Sequence, residues 1–344
     1  MPSGFSSRVI RWQRTHGRHD LPWQGTRDPY RVWLSEIMLQ QTQVSTVLPY
    51  YERFLARFPD VAALAAAPED DVMALWSGLG YYARARNLHR AAREVVSRFG
   101  GKFPTSFEDL GSLPGIGRST AGAIAAFSGG ERRAILDGNV RRVLARHAGI
   151  EGDPSSAAVL ARLWATAEAR LPSKDIEAYT QAMMDLGADL CAVRKPACLV
   201  CPVNADCVAR LEDRVDELPG KRKRAAPKRK RIAMLVAISR GEVLLEKRPS
   251  SGIWGGLWSL PEADADADPA RAIRDWGITP VQVSPLEPFE HAFTHFTLEV
   301  APWRIDVKKV QPIAADRGAT WLPLSDLKGA ALPSPVRKLL ASLD

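Results

Sequence analysis

The chain has 344 residues and a formal net charge of +8, and 46% of its residues are hydrophobic. This length allows two domains with separate cores, and the composition excludes a disordered chain. The first residues lack the apolar core of a signal peptide, and no apolar run approaches the roughly 20 residues of a membrane span. We therefore expect a cytoplasmic protein with no membrane segment.

The positive charge is concentrated in two segments of the chain. The run at residues 221–231 carries +8 by itself, so the other residues sum to zero and global charge is weak evidence for a nucleic-acid partner. Residues 76–147 hold 12 basic and 5 acidic side chains. This local excess indicates a polyanion that binds near residues 76–147.

A helix with candidate chemistry is predicted to begin at Pro29, because Asp28 suits the N-cap and proline suits the first helical position. Glu36 lies in this helix. Its neighbours at three- and four-residue spacing are mainly apolar: Val32, Trp33, Leu39 and Gln40. A helical glutamate is usually solvated, but apolar surroundings raise the carboxyl pKa toward the range of a proton donor.

Two later segments carry groups that suit opened DNA. Gln41 lies in an uncharged polar cluster whose amides could replace base-pair hydrogen bonds, although a polar helix end is the simpler interpretation. Tyr81 follows a glycine turn and precedes arginines at alternate positions. An aromatic ring can fill the gap of an unstacked base while arginines hold phosphates, but core packing explains a single tyrosine about as well.

Gly115 and Gly117 bracket a tight turn, and the small residues that follow predict a closely packed helix. The first N–H groups of such a helix can bind a phosphate oxygen without sequence preference. Asp137 comes twenty residues after Gly117, in a polar turn with Asn139. Either half alone also fits an ordinary helix–helix turn and an aspartate N-cap.

The four cysteines of the chain lie in one short stretch: Cys191, Cys198, Cys201 and Cys207. Without an export signal, a metal centre is favoured over two disulfides. Four thiolates can hold either a structural zinc ion or an iron-sulfur cluster, and the composition does not separate these two.

Residues 216–231 combine a Pro-Gly pair with the basic run, which is typical of a linker. After this linker, extended segments at 232–238, 242–247 and 296–307 and a short helix at 335–343 are predicted. Together with the Gly- and Trp-rich segment at 252–261, they resemble a Nudix-type α/β fold. Residues 262–277 lack the Arg-Glu-x-x-Glu-Glu run that holds magnesium in a working Nudix hydrolase.

Read together, the Gly115 turn and the Asp137 turn resemble the helix-hairpin-helix DNA glycosylases, and the further matches narrow the resemblance to the adenine DNA glycosylase family over nearly the whole chain. The resemblance implies a mainly α catalytic domain at residues 1–215 and an α/β (α+β) Nudix-like domain at 232–344. The unequal cysteine spacing matches the 4Fe-4S signature of the family, which implies a cluster loop at 191–207.

The resemblance also implies roles for individual residues. Glu36 is the catalytic acid, Asp137 stabilises the oxocarbenium-like sugar, and Asn139 helps to orient it. DNA or substrate contacts are implied for a larger set: Arg18, Leu21, Trp23, Gln41, Tyr81, Gly115, Gly117, Ser119, Tyr179 and Gln181. A loop that reads 8-oxoguanine is implied at Phe293, Thr294 and His295, where Thr294 replaces a serine that the family often has. The alternative is that Phe293 and Phe296 are core residues of a strand.

The activity that this resemblance implies is hydrolysis of the glycosidic bond of adenine paired with 8-oxoguanine or guanine, after the base is flipped out of double-stranded DNA. Bifunctional relatives carry a lysine where this chain has Ser119, so no Schiff base and no strand cutting are expected. We expect a monomer. The alternatives are a nucleotide-pool Nudix hydrolase with a DNA-binding region, a zinc-dependent DNA-binding protein without catalysis, and a glycosylase that removes thymine.

Overall fold

The computed structural model describes residues 4–220, 228–293, 296–308 and 318–343. These residues form two compact units. The first contains the described residues up to Ala66 and from Arg90 to Gly220, and the second contains Ala67–His89 and the described residues from Lys228 onward. Thr294 and His295, which the sequence analysis predicts to read the opposite base, lie outside the described residues.

The first unit is helical, as predicted. Its described α-helices are α1 (Phe5–His16), α2 (Pro29–Leu39), α3 (Val44–Arg57), α4 (Val61–Ala66), most of α6 (Ala83–Phe99), α7 (Phe107–Ser112), α8 (Arg118–Gly129), α9 (Gly138–His147), α10 (Ala157–Ala169), α11 (Ile176–Asp185) and α12 (Val208–Leu211). A π-helical turn at Leu186–Leu190 follows α11, and short 3-10 turns lie at Cys198–Val200 and Asn204–Asp206. None of the described helices is long and apolar enough to cross a membrane.

The predicted helix starts are confirmed. A side-chain oxygen of Asp28 accepts a hydrogen bond from the Tyr30 N–H at 3.0 Å, so α2 begins at Pro29. Gly115 has a φ of 79°, which suits glycine, and α8 begins just after Gly117. Within α8, a Cβ at Gly122 would lie 2.7 Å from the Ala134 carbonyl oxygen, so this helix packs directly on the backbone that leads to Asp137.

The second unit contains an eight-stranded mixed sheet, which confirms the predicted Nudix-like fold. Its strands are β1 (Lys228–Ser239), β2 (Glu242–Lys247), β3 (Trp258–Ser259), β4 (Glu262–Asp264), β5 (Pro280–Pro285), β6 (Phe289–Ala292), β7 (Phe296–Val307) and β8 (Ala319–Pro323). The main order is β3-β2-β1-β7-β5, where β1 and β7 run parallel and the other neighbours are antiparallel. Helices α13 (Pro269–Arg274) and α14 (Ser334–Ala341) accompany the sheet.

The structure differs from the predicted division of the chain at two places. Strand β1 begins at Lys228, inside the predicted linker, because this basic stretch pairs with β7 from Phe296 onward. The segment Ala67–His89, which contains α5 (Glu69–Trp76) and the first turns of α6, lies in the second unit although the sequence analysis assigned it to the first domain. Its side chains bond to backbone groups of that unit, which chain order alone does not reveal.

Candidate active site

Glu36 lies on α2 among buried residues: Val32, Trp33, Ser35 and Ile37. The residue itself is partly exposed, while the protein around its carboxyl group removes most of the water. Burial, and after it the negative charge of Asp137, raises the pKa of Glu36 from 4.5 to about 8. Among the described residues, none donates a hydrogen bond to this carboxyl group. Glu36 therefore holds its proton at neutral pH, as a general acid must.

Asp137 is the N-cap of α9, and its Oδ1 accepts a hydrogen bond from the Val140 N–H at 2.7 Å. The pKa of Asp137 is raised, because burial outweighs the N–H groups of Val140 and Asn139 and the guanidinium groups of Arg142 and Arg141, which act in the opposite direction. Donors at a helix N-terminus favour the charged form of a carboxylate, and Glu36 has none of them among the described residues. A negative charge on this pair is therefore more stable on Asp137 than on Glu36.

Helix α8 bonds to both segments that carry these carboxyl groups. The Ser119 hydroxyl accepts a hydrogen bond from the Leu136 N–H at 2.8 Å, one residue before Asp137. Its neighbour Thr120 accepts one from the Gln40 side chain of the α2 C-terminus at 3.3 Å. Helix α8 therefore bonds to the backbone next to Asp137 and to a side chain at the end of α2, the helix that carries Glu36.

Arg142 connects the Asp137 turn to the cysteine loop. Its guanidinium group donates to Asn139 Oδ1 at 2.9 Å, to the Gly187 carbonyl oxygen at 2.5 Å and to the Cys191 carbonyl oxygen at 2.6 Å. A Cβ at Gly187 would lie 2.6 Å from the Asn139 Cβ, so the π-helical turn packs directly on the start of α9. The sequence analysis missed Arg142, although its position three residues after Asn139 places the two on one helix face.

The four cysteines line one cavity, and none of them forms a disulfide. Burial, together with the other three cysteines, raises the pKa of the Cys201 thiol to about 11, so a thiolate at this position needs a bound cation. Four thiols that line one cavity can hold either a four-iron cluster or a structural zinc ion.

Arg146 donates hydrogen bonds to the backbone of the cysteine loop and of the segment after it. Its side chain is almost fully buried, at 4% exposure, and its guanidinium group donates to the Ala192 carbonyl oxygen at 2.7 Å and to the Leu218 carbonyl oxygen at 2.8 Å. The same group lies 3.4 Å from Cys191 Sγ. Arg146 therefore joins the start of the loop to the segment that follows it, and brings positive charge to one thiol.

Gln41 and Tyr81, both predicted to contact DNA, have strained backbones and exposed side chains. Their φ angles are 57° and 50°, a region that non-glycine residues rarely occupy. Tyr81 is 46% exposed, and Gln41 is also exposed. Such strain persists only when the surroundings enforce it, and it is common at functional sites.

Several residues that are predicted to contact DNA or substrate fall into two groups: those that bond to Asp185, and those that pack in the core. Arg18 and Gln181 both donate to Oδ1 of Asp185, at 2.7 Å and 2.8 Å, and Asp185 is fully buried. Trp23 packs edge-on against Tyr51, and Tyr179 belongs to the first unit's core. In the described part of the chain, no hydrogen bond or ion pair joins the predicted set Arg18, Leu21, Trp23, Tyr179 and Gln181 to Glu36 or Asp137.

Asp185 was missed by the sequence analysis. Its position four residues after Gln181 was the available signal, since such residues share a helix face. Because this carboxylate is fully buried between two donors, Asp185 sets the orientation of both Arg18 and Gln181.

In the second unit, Phe293 belongs to an aromatic cluster. Its ring stacks on Phe296 with a centroid distance of 4.6 Å and lies 5.8 Å from the ring of Trp254. The Phe293 N–H donates to the Phe296 carbonyl oxygen at 2.8 Å. Packing within this cluster accounts for both phenylalanines, and the base-reading role of Phe293 stays a prediction.

Two family models match the chain. Residues 34–169 match the HhH-GPD superfamily base excision DNA repair protein, and residues 233–342 match the NUDIX domain. The adenine DNA glycosylase of Buchnera aphidicola subsp. Baizongia pistaciae is 36% identical over 98% of this chain and 96% of its own length. The human adenine DNA glycosylase is 31% identical over 98% of this chain and 73% of its own length.

Solved structures resemble the helical part. A thermostable thymine-DNA glycosylase is 29% identical, with a TM-score of 0.55 over 60% of this chain and 95% of that chain. An endonuclease III in a non-covalent complex with DNA has a TM-score of 0.52 over 60% of this chain and 94% of that chain. At 20% identity, this second likeness shows the fold alone.

Proposed function

This chain belongs to the adenine DNA glycosylase family and is an adenine-specific DNA N-glycosylase, and we propose that it acts on adenine paired with 8-oxoguanine or guanine without cutting the DNA strand. The observation that carries the proposed chemistry is the opposite environment of two neighbouring carboxyl groups. Glu36 is desolvated without a hydrogen-bond donor in the described residues, whereas Asp137 caps a helix and faces two arginines.

In the proposed reaction, adenine leaves the duplex stack and enters a pocket beside Glu36. Glu36 donates its proton to the adenine ring, so that the base departs as a neutral leaving group. The ionised Asp137 then stabilises the positive charge on the sugar, and water completes the hydrolysis. Asn139 positions the site through its hydrogen bond to Arg142.

Ser119 supports the monofunctional part of the proposal. Strand cutting through a Schiff base needs an amine, and a hydroxyl group cannot form that intermediate. In this chain the hydroxyl instead accepts the Leu136 N–H, which fixes the backbone next to Asp137.

We further propose that the cysteine loop holds a 4Fe-4S cluster through Cys191, Cys198, Cys201 and Cys207. When bound, the cluster supplies four iron–thiolate bonds that fix the loop, and the proposed reaction requires no electron transfer from it. Arg146 and Arg142 join this loop to α9 through carbonyl oxygens of the loop. A fixed loop also presents Arg194 and Lys195 to a DNA phosphate.

The test measures single-turnover base release from duplexes with A:8-oxoguanine, A:G, A:T and T:G pairs, with and without borohydride. We expect adenine release from the first two, fastest opposite 8-oxoguanine, and no protein trapped on DNA. Efficient release of thymine from T:G, or a borohydride-trapped complex in good yield, would contradict the proposal. The purified protein should be brown and contain iron, whereas a colourless zinc protein would contradict the cluster assignment.

A further inference from the structure

The turn at residues 77–82 between α5 and α6 presents Tyr81, and its backbone is tightly constrained. Gly78, Gly80 and Tyr81 have φ angles of 99°, 78° and 50°, so three residues within four occupy the left-handed region. The Trp76 indole N–H donates to the Gly80 carbonyl oxygen at 3.1 Å, and Tyr82 Oη accepts from the Gly78 N–H at 3.3 Å. A conformation this restricted needs support from its surroundings.

One support lies beneath the tyrosine ring. The Arg84 side chain is buried, and its guanidinium carbon lies 5.3 Å from the Tyr81 ring centroid and 5.4 Å from that of Trp76. Its Nη2 also donates to the Gly80 carbonyl oxygen at 3.3 Å. Arg84 therefore holds one face of Tyr81 while 46% of the tyrosine surface stays exposed.

The second support comes from the sheet domain of the same unit. The Ser77 hydroxyl donates to the Leu332 carbonyl oxygen at 2.6 Å and accepts from Arg337 Nη2 at 3.3 Å. Arg337 also donates to the Ala330 carbonyl oxygen at 2.7 Å. Ser77 thus connects the start of the Tyr81 turn to the segment before α14.

Beyond the turn, Arg86 bonds to the loop that carries Trp254. Arg86 Nη1 donates to the Gly255 carbonyl oxygen. A Cβ at Gly255 would lie 2.6 Å from the Ser250 carbonyl oxygen, so the backbone of this loop packs closely on itself. Trp254 in turn packs against Phe293 and His291, with centroid distances of 5.8 Å and 6.0 Å.

We propose that Ser77 and Arg86 are positioning residues that dock the Tyr81 turn onto the sheet domain, so that Tyr81 and the aromatic cluster at Phe293 act as one reader of the base opposite adenine. This inference rests on the proposed function and on two roles that the family resemblance implies: Tyr81 contacts DNA, and the second domain reads 8-oxoguanine. The docking contacts fix where Tyr81 stands relative to Trp254 and Phe293. Loss of a docking contact therefore weakens discrimination of the opposite base and leaves the carboxyl chemistry in place.

The test uses the full chain with Ser77→Ala and Arg86→Met. The controls are Ser97→Ala and Arg93→Met on α6, the helix that carries Arg86; both residues are exposed and bond within the first unit. For A:8-oxoguanine and A:G duplexes, we measure the saturating single-turnover rate and the enzyme concentration that gives half of that rate. We expect the preference for 8-oxoguanine to fall about 3- to 10-fold, the range for loss of one hydrogen bond, with the saturating A:G rate changed less than about twofold.

Three further measurements separate positioning from general damage. Ser77→Thr retains the hydroxyl group and should restore the preference. Ser77→Ala added to Tyr81→Ala should cause little further loss, because both act through the same ring. A 2-aminopurine placed beside 8-oxoguanine should report less unstacking on binding of Ser77→Ala than of wild type.

The outcomes that would overturn the proposal are distinct from those that would overturn the proposed function. Unchanged preference in both Ser77→Ala and Arg86→Met, or full additivity with Tyr81→Ala, rejects the docking role. If Ser77→Ala does not fold, the Arg86→Met and Ser77→Thr results still decide the matter. A wild-type enzyme that releases adenine from neither A:8-oxoguanine nor A:G rejects the proposed function itself.

Discussion

Replacing Glu36 with glutamine should abolish adenine release and also stabilise the protein. Glutamine keeps the size of the side chain but cannot donate the acid proton, so base release should fall by at least about 100-fold. The stability gain follows from the carboxyl pKa, which is about 8 in the folded chain against an ordinary value of 4.5. The two effects share one cause, the removal of water from this carboxyl group.

The sign and pH range of the stability effect can be worked out. Between pH 4.5 and 8, the folded chain keeps the Glu36 proton while the unfolded chain releases it, so rising pH favours unfolding. The penalty is absent below pH 4.5, reaches about 3 kcal/mol at pH 7 and levels off near about 5 kcal/mol above pH 8. The partial exposure of Glu36 makes these values upper limits.

Urea unfolding of wild type and Glu36→Gln at pH 5, 7 and 9 measures this penalty, with exposed Glu52→Gln as the matched control. We expect the stability gain of Glu36→Gln to be small at pH 5 and to grow toward pH 9, while the control stays flat. In the wild type, the base-release rate should decline as pH rises through about 8. A gain that is equal at all three pH values would refute the raised pKa, and full activity in Glu36→Gln would refute the acid role.

Substitutions at Asp137, Gly122 and Arg146, with Gly129 as a control, test other features. Asp137→Asn should keep the N-cap of α9 but lose base release. Asp137→Ala should lose base release and also lower the free energy of unfolding in urea by about 1 kcal/mol, because the cap is removed. An active Asp137→Asn enzyme would show that Asp137 is only a helix cap. Gly122→Ala should lower the stability measured by thermal unfolding by about 1 to 3 kcal/mol, because the new Cβ would lie too close to the Ala134 carbonyl oxygen. The control Gly129→Ala should leave the stability unchanged, because its Cβ makes only ordinary contacts. Arg146→Met leaves the carbonyl oxygens of Ala192, in the loop, and of Leu218, beyond it, without this donor. Unfolding stability should therefore fall by about 2 kcal/mol or more, and the iron content per chain should decrease. An unchanged iron content would contradict the role of Arg146 in holding the loop.

Local sequence rules were enough for the segments around the site. The Asp28-Pro29 pair predicted the start of α2, and the Gly115 turn predicted the start of α8, because each signal acts within one helical turn. The apolar neighbours of Glu36 on α2 likewise indicated a raised pKa. These predictions needed only residues that are close along the chain.

Features that depend on distant contacts could not be predicted in this way. Asp185 accepts hydrogen bonds from Arg18, which is 167 residues away in the chain, and no local pattern predicts that pairing. The docking of Ser77 on Leu332 spans 255 residues, so chain order assigned this segment to the first domain. Lys228–Arg231 have the composition of a linker, and only pairing with β7 makes them a strand. Each miss reflects tertiary contacts that override composition.

The sequence offered two interpretations of Asp137, a helix N-cap and a catalytic carboxylate. The two interpretations are compatible, because the cap position favours the charge that the proposed role needs. A helix N-terminus requires an acceptor for its free N–H groups, and those same donors lower the energy of a negative charge in a site that burial would otherwise neutralise. Glu36 has no such donors among the described residues, and it faces the charge that the cap maintains. A structural need at the start of α9 therefore creates the difference in protonation on which the proposed chemistry depends.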